Sequence, residues 1–125
     1  MSRILRVNMS TAQMEVSIEK LGRVLVIGVS GRLDTVSAPL FDQRVAPVLA
    51  ESRARILLDV SGVSYISSAG LRSILHLVKH AEENGGRVGV FSVPAPVMEV
   101  LEISGFPSRL DVYPDRASAL SRRAS

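Results

Sequence analysis

The sequence predicts an α/β fold: one domain with a mixed β-sheet, an N-terminal antiparallel hairpin leading into a parallel βαβ part, and helices packed against it. Three observations predict it. A period-two apolar pattern is followed closely by a second apolar run; a continuous apolar triplet between polar flanks marks a strand buried on both faces; and strand-like and helix-like segments then alternate to the C-terminus.

Residues 1–13 carry no sustained period and read as a flexible leader, with the domain expected over 14–125. Met14, Val16 and Ile18 then alternate with Glu15, Ser17 and Glu19. After Lys20-Leu21-Gly22 comes the apolar run Val24 to Val29, so the two segments read as a strand pair joined by a short turn. Gly31-Arg32-Leu33-Asp34 is expected to end that pair. Ser37 before Ala38-Pro39 supplies a helix N-cap with proline in the first turn. Phe41, Val45, Val48 and Leu49 continue at helical spacing, and Pro47 is expected to kink or interrupt that helix.

Arg55 to Val60, with Ile56-Leu57-Leu58 at its centre, reads as a central strand, and Ser61 to Ser67 as a loop. Leu71, Ile74, Leu75, Val78 and Ala81 mark one face of the next helix, which stops at Asn84-Gly85-Gly86. A strand over Arg87 to Val93, a short helix over Pro96 to Ser104 closed by Gly105, a strand over Leu110 to Tyr113 and a helical stretch from about Asp115 complete the order. Right-handed βαβ crossovers then give a largely parallel sheet from residue 55 onward.

Composition narrows the function. The 125 residues are 46% hydrophobic and 22% charged, an ordinary globular balance. Cysteine is absent, which removes disulfide and thiolate chemistry and suits a reducing cytoplasm. No apolar run approaches the length of a membrane span, so direct membrane insertion is not expected and a cytoplasmic location is. The net charge is +3, the basic residues are dispersed among acidic ones, and Arg122-Arg123 is the one basic cluster. Two tyrosines and three phenylalanines do not interleave with basic residues, so nucleic acid is not an expected partner.

Candidate chemistry is sparse. His76 and His80 stand four apart, a spacing that suits a metal, but both fall off the apolar face and no third ligand is apparent, so no metal site is expected. Gly85-Gly86-Arg87-Val88-Gly89 leaves a helix and enters a strand, the reverse of a phosphate cradle, and reads as a helix C-cap. No G-x-S-x-G elbow, serine–histidine–acid set or paired-carboxylate motif occurs, and neither catalysis nor a cofactor is expected. The informative stretch runs from Asp59 to Arg72, where Ser67-Ser68 stands at a helix start. Either hydroxyl could cap the helix, or one could accept a phosphoryl group, a change of about −1.5 to −2 charges that would switch a binding surface.

Three segments resemble the STAS domain family, and within it the bacterial anti-sigma factor antagonists. These are Gly31-Arg32-Leu33-Asp34 with Ser37-Ala38-Pro39; Leu58-Asp59-Val60-Ser61 with Val63 and Ile66; and Ser67-Ser68-Ala69-Gly70-Leu71. The resemblance implies a non-enzymatic protein that, when unmodified, sequesters an anti-sigma factor that is also a serine kinase. Phosphorylation breaks the capture and a serine phosphatase resets it. Aligned on Gly70-Leu71, the acceptor falls on Ser68, with Ser67 as the minor alternative. Asp34 matches the acidic residue near the acceptor loop, and Asp59 the aspartate at the strand end, which is either a contact or a loop brace. The implied contact set is Asp34, Asp59, Ser67, Ala69, Gly70 and Arg72. Many of these antagonists carry an acidic residue directly before the acceptor, where this chain has Ser67. The alternative function is a STAS subunit of a membrane lipid-transport complex that docks on its ATPase without phosphorylation.

Overall fold

A computed structural model describes residues 9–10, 14–51 and 55–121. Its elements are β1 (Met9–Ser10), β2 (Met14–Leu21), β3 (Val24–Leu33), α1 (Ala38–Glu51), β4 (Arg55–Ile66), α2 (Ser68–Glu83), β5 (Val88–Phe91), α3 (Ala95–Ile103), a 3-10 turn (Phe106–Ser108), β6 (Leu110–Tyr113) and α4 (Arg116–Ser121). The strands form one sheet in chain order. β1, β2 and β3 pair antiparallel, and β3, β4, β5 and β6 pair parallel. The mixed sheet with its N-terminal hairpin is the expected architecture. Of the segment expected as a leader, Met9–Ser10 pairs with Glu15 and Val16 and the rest lies outside the described residues, as does Arg122-Arg123.

Strand alternation sorts the sheet into two faces. Met14, Val16 and Ile18 on β2, Leu25, Ile27 and Val29 on β3, and Ile56, Leu58 and Val60 on β4 meet Phe41 and Val45 of α1, Leu77 and Val78 of α2, and Leu101 of α3 in the main core. The other face carries a smaller cluster of Val26, Leu57, Phe91 and Ala119, covered by α4. Arg55 fastens that helix: its guanidinium donates to the Ala119 carbonyl at 2.8 Å and to the Tyr113 hydroxyl. Ile56, Leu57 and Leu58 are all buried, as the unbroken apolar triplet requires.

Three local expectations need correction. Helix α1 runs from Ala38 through Pro47 to Glu51 without interruption. Pro47 and Gln43, whose carbonyl loses its donor at that proline, are both exposed, so water can serve the freed carbonyl. The segment Ser61 to Ile66, read as loop, continues β4, and Gly31 to Leu33 continues β3: Gly31 pairs with Val63 and Leu33 with Ile66. Register shifts interrupt this ladder, and burial falls on Val63 and Ile66, every third residue rather than every second, so the strand carries no period-two signature. Gly31 takes φ +89° at this irregularity, a conformation in which a side chain would be strained.

The C-cap reading of the glycine pair holds. Gly85 adopts φ +77°, its amide donates to Glu82 O, and the Gly86 amide donates to Ala81 O at 2.7 Å, the paired bonds of a Schellman motif. The histidines differ from each other: His76 is exposed, whereas His80 is partly buried and its Nε2 has no hydrogen-bond partner. His80 therefore does not point wholly away from the core.

Candidate functional site

The parallel register of β3 and β4 builds the site. Leu33 and Ile66 are partners, so the residues that follow them, Asp34 and Ser67, leave adjacent strands side by side about 4.8 Å apart. The Ser67 amide closes the junction by donating to Leu33 O at 3.0 Å. Two residues distant in sequence thus begin neighbouring turns, each of which opens a helix.

In the second turn the serine pair divides its labour. Ser67 is the N-cap of α2, in extended conformation, and its Oγ accepts from the Gly70 amide at 3.4 Å. Its hydroxyl is half-buried and occupied. Ser68 is the first residue of the helix, exposed, and its hydroxyl makes no hydrogen bond among the described residues. Gly70 is buried; a Cβ there would stand 2.6 Å from Leu33 O, so the glycine lets α2 begin directly against the end of β3. Gly70 serves by close packing, while Ala69 is partly buried and Arg72 lies exposed one turn on from Ser68.

The first turn is a self-bonded loop. Asp34 Oδ1 accepts from the amides of Val36 at 3.0 Å and Ser37 at 3.1 Å. Ser37, only 1% exposed, donates its hydroxyl to Arg32 O at 2.6 Å and accepts from the Asp34 amide at 2.9 Å. The Ser37 side chain therefore knits the loop rather than capping α1 amides, the role expected from its position before Pro39. These bonds, led by the Ser37 amide, hold the Asp34 carboxyl below its ordinary pKa. Arg32 completes the turn: its guanidinium lies 3.4 Å from Asp34 Oδ2 and stacks 4.3 Å from the centre of the Tyr65 ring.

Sequence reasoning missed one member of this surface, Tyr65. Val36 is 69% and Tyr65 44% exposed, apolar area on the Asp34 turn and at the end of β4, and Arg32 braces the tyrosine. The available signal was a large aromatic residue at Ser64-Tyr65-Ile66, a segment read as loop, where polar residues are the norm.

Asp59 is placed elsewhere. It pairs with Gly28, five β3 residues before Leu33, which puts it about 17 Å down the sheet from the Leu33–Ile66 pair that leads into the Ser67 turn. There Asp59 Oδ1 accepts from the amide and hydroxyl of Ser61 at 3.0 and 2.7 Å, bracing the β4 irregularity. It also lines a shallow groove of about 260 Å³ with Glu15, Ser17, Ser30 and Gly62 on the sheet face beyond α4. The structure brings Asp34, Ser67, Ser68, Ala69, Gly70 and Arg72 together, and leaves Asp59 apart.

Among the described residues no group of three histidine, cysteine, aspartate or glutamate side chains is placed to hold a metal ion, and no helix is long and apolar enough to cross a membrane. The arrangement offers one free nucleophilic hydroxyl at a helix start, framed by apolar side chains and braced turns.

Residues 15–119 match the model of the STAS domain. Among curated proteins the chain is similar to BtrV of Bordetella bronchiseptica, a candidate anti-sigma factor antagonist, at 30% identity over 106 residues covering 85% of this chain and 91% of that protein. It is also similar to the anti-sigma F factor antagonist of Paenibacillus polymyxa, at 25% identity over 86% of this chain and 93% of that protein. Among solved structures, an anti-sigma factor antagonist from Mycobacterium paratuberculosis shares the fold with a TM-score of 0.79 at 24% identity, over 90% of this chain and 97% of that one. With the family model matching most of its length and the sheet, helices and serine turn arranged as described, the chain belongs to the STAS domain family.

Proposed function

We propose that this protein is an anti-sigma factor antagonist whose binding is switched by phosphorylation of Ser68. The observation that carries the reading is the contrast between the two serines: Ser67 Oγ is committed to the Gly70 amide, and the Ser68 hydroxyl is exposed and unbonded. The names of the related proteins support the same reading, and none of those quoted favours the lipid-transport subunit. Val36 and Tyr65 give the partner apolar anchor points beside Ser68, and Asp34 holds the neighbouring turn in shape.

The partner is an anti-sigma factor that is also a serine kinase, the setting is the cytoplasm, and the antagonist is itself no enzyme. In the transfer step Ser68 Oγ attacks the γ-phosphorus of a kinase-bound nucleoside triphosphate. The bond to the leaving nucleoside diphosphate breaks, and the hydroxyl proton passes to a base on the kinase. A phosphatase returns the serine by hydrolysis. Negative charge is compatible with the start of α2, so the fold persists and the surface alone changes. Titrating the kinase with wild type and with Ser68→Asp tests the proposal: the aspartate variant should bind more than tenfold weaker. Equal binding would remove Ser68 from the switch.

A further inference from the structure

The exposed face of α2 carries two cationic side chains, Arg72 and Lys79, in line with Ser68. Ser68, Arg72, His76 and Lys79 follow at intervals of four, four and three, so they line one stripe of the helix, and all four are exposed. No acidic residue lies on α2 before Glu82 and Glu83, and Glu82 is held by Arg109 at 2.6 Å. Among the described residues Arg72 makes no ion pair.

We propose that Arg72 captures the phosphate on Ser68 and so acts as the intramolecular half of the switch. This rests on the reading of Ser68 as the acceptor. Residues four apart on a helix are surface neighbours, and the order here, anion toward the N-terminus and cation toward the C-terminus, is the favourable one. A guanidinium matches phosphate oxygens with paired N–H donors, and no carboxylate on the first three turns of α2 competes for it. Before modification Arg72 heads the cationic stripe and presents one positive charge to a partner. After modification the Ser68–Arg72 pair carries a net charge of about −0.5 to −1, and the stripe loses its leading cation. The partner surface that this stripe recognises is accordingly acidic.

The test uses the full chain with phosphoserine installed at position 68 by genetic-code expansion, so that no kinase is needed. Phosphorus NMR follows the second phosphate ionisation in this protein and in the same protein carrying Arg72→Gln. The helix start acts on the phosphate in both proteins, so capture by Arg72 is read as the difference: the midpoint should lie about half a unit lower with Arg72 than in Arg72→Gln. Thermal melts give a second readout: phosphoserine should raise Tm with Arg72 present and lose that increment in Arg72→Gln. Identical midpoints in the two proteins would overturn the inference. Because phosphoserine is installed during translation, a failure of any kinase to modify Ser68 would refute the switch reading alone and leave this result distinct from it.

Discussion

Replacing Gly70 with alanine sets two physical effects of opposite sign against each other. Gly70 lies in the first turn of α2, and helix propensity alone makes Gly70→Ala stabilising by about 1 kcal/mol. Packing says the reverse. The new Cβ would stand 2.6 Å from Leu33 O and 2.9 Å from both Ile66 Cγ1 and Leu33 Cγ. Overpacking a filled site costs about 1–3 kcal/mol, and here the closest atom is a backbone oxygen already engaged by the Ser67 amide, so the upper end applies. The balance is a net loss of about 2 kcal/mol. In urea, with a slope of about 2 kcal/mol per molar, the unfolding midpoint should drop by about 1 M. Because the helix must retreat from β3 to relieve the clash, the amide signals of Ser67 and Ser68 should shift as well. A midpoint equal to or above that of wild type would refute the argument that α2 is seated by direct contact with the end of β3.

The Asp34 turn yields two further tests. Ser37→Ala removes the donor to Arg32 O and the acceptor for the Asp34 amide in a position that is 1% exposed, which should cost about 2 kcal/mol and lower Tm by several degrees; an unchanged Tm would show that the hydroxyl is dispensable. The Asp34 pKa is lowered in the folded chain, so its contribution is fully present above the unfolded value of 3.8 and is lost as pH falls through the lower folded value. The stability difference between wild type and Asp34→Asn should therefore be constant above about pH 5 and shrink below about pH 4, and a difference independent of pH across thermal melts would contradict the loop bonding described.

The legible parts of the fold were those where one interaction dominates locally. Period-two alternation gave β2, the Ile56-Leu57-Leu58 triplet gave the centre of β4, and Gly85 gave the end of α2, because each pattern reports a single burial geometry or a single backbone requirement. The upper half of β4 was hidden because its bulged pairing with β3 buries Val63 and Ile66 at a spacing that belongs to neither regular period. Continuity through Pro47 was hidden because the penalty for an internal proline depends on whether water reaches the freed carbonyl, a tertiary fact. At the site, residue identity pointed to Ser67-Ser68 but left the cap and the free hydroxyl unassigned. The division depends on which side chain faces the Gly70 amide, and that follows from the extended backbone of Ser67. The sequence leaves Asp59 open between contact and loop brace; the strand register sets it six positions, about 20 Å, from Asp34.

The central claim is that the hydroxyl of Ser68, and not that of Ser67, receives the phosphoryl group. Peptide-level mass spectrometry after incubation with the candidate anti-sigma kinase and a nucleoside triphosphate, applied to wild type, Ser68→Ala and Ser67→Ala, reads this directly. The account predicts one phosphate mapped to Ser68 in wild type and in Ser67→Ala, and none in Ser68→Ala. A phosphate on Ser67, or an undiminished phosphate in Ser68→Ala, would contradict it.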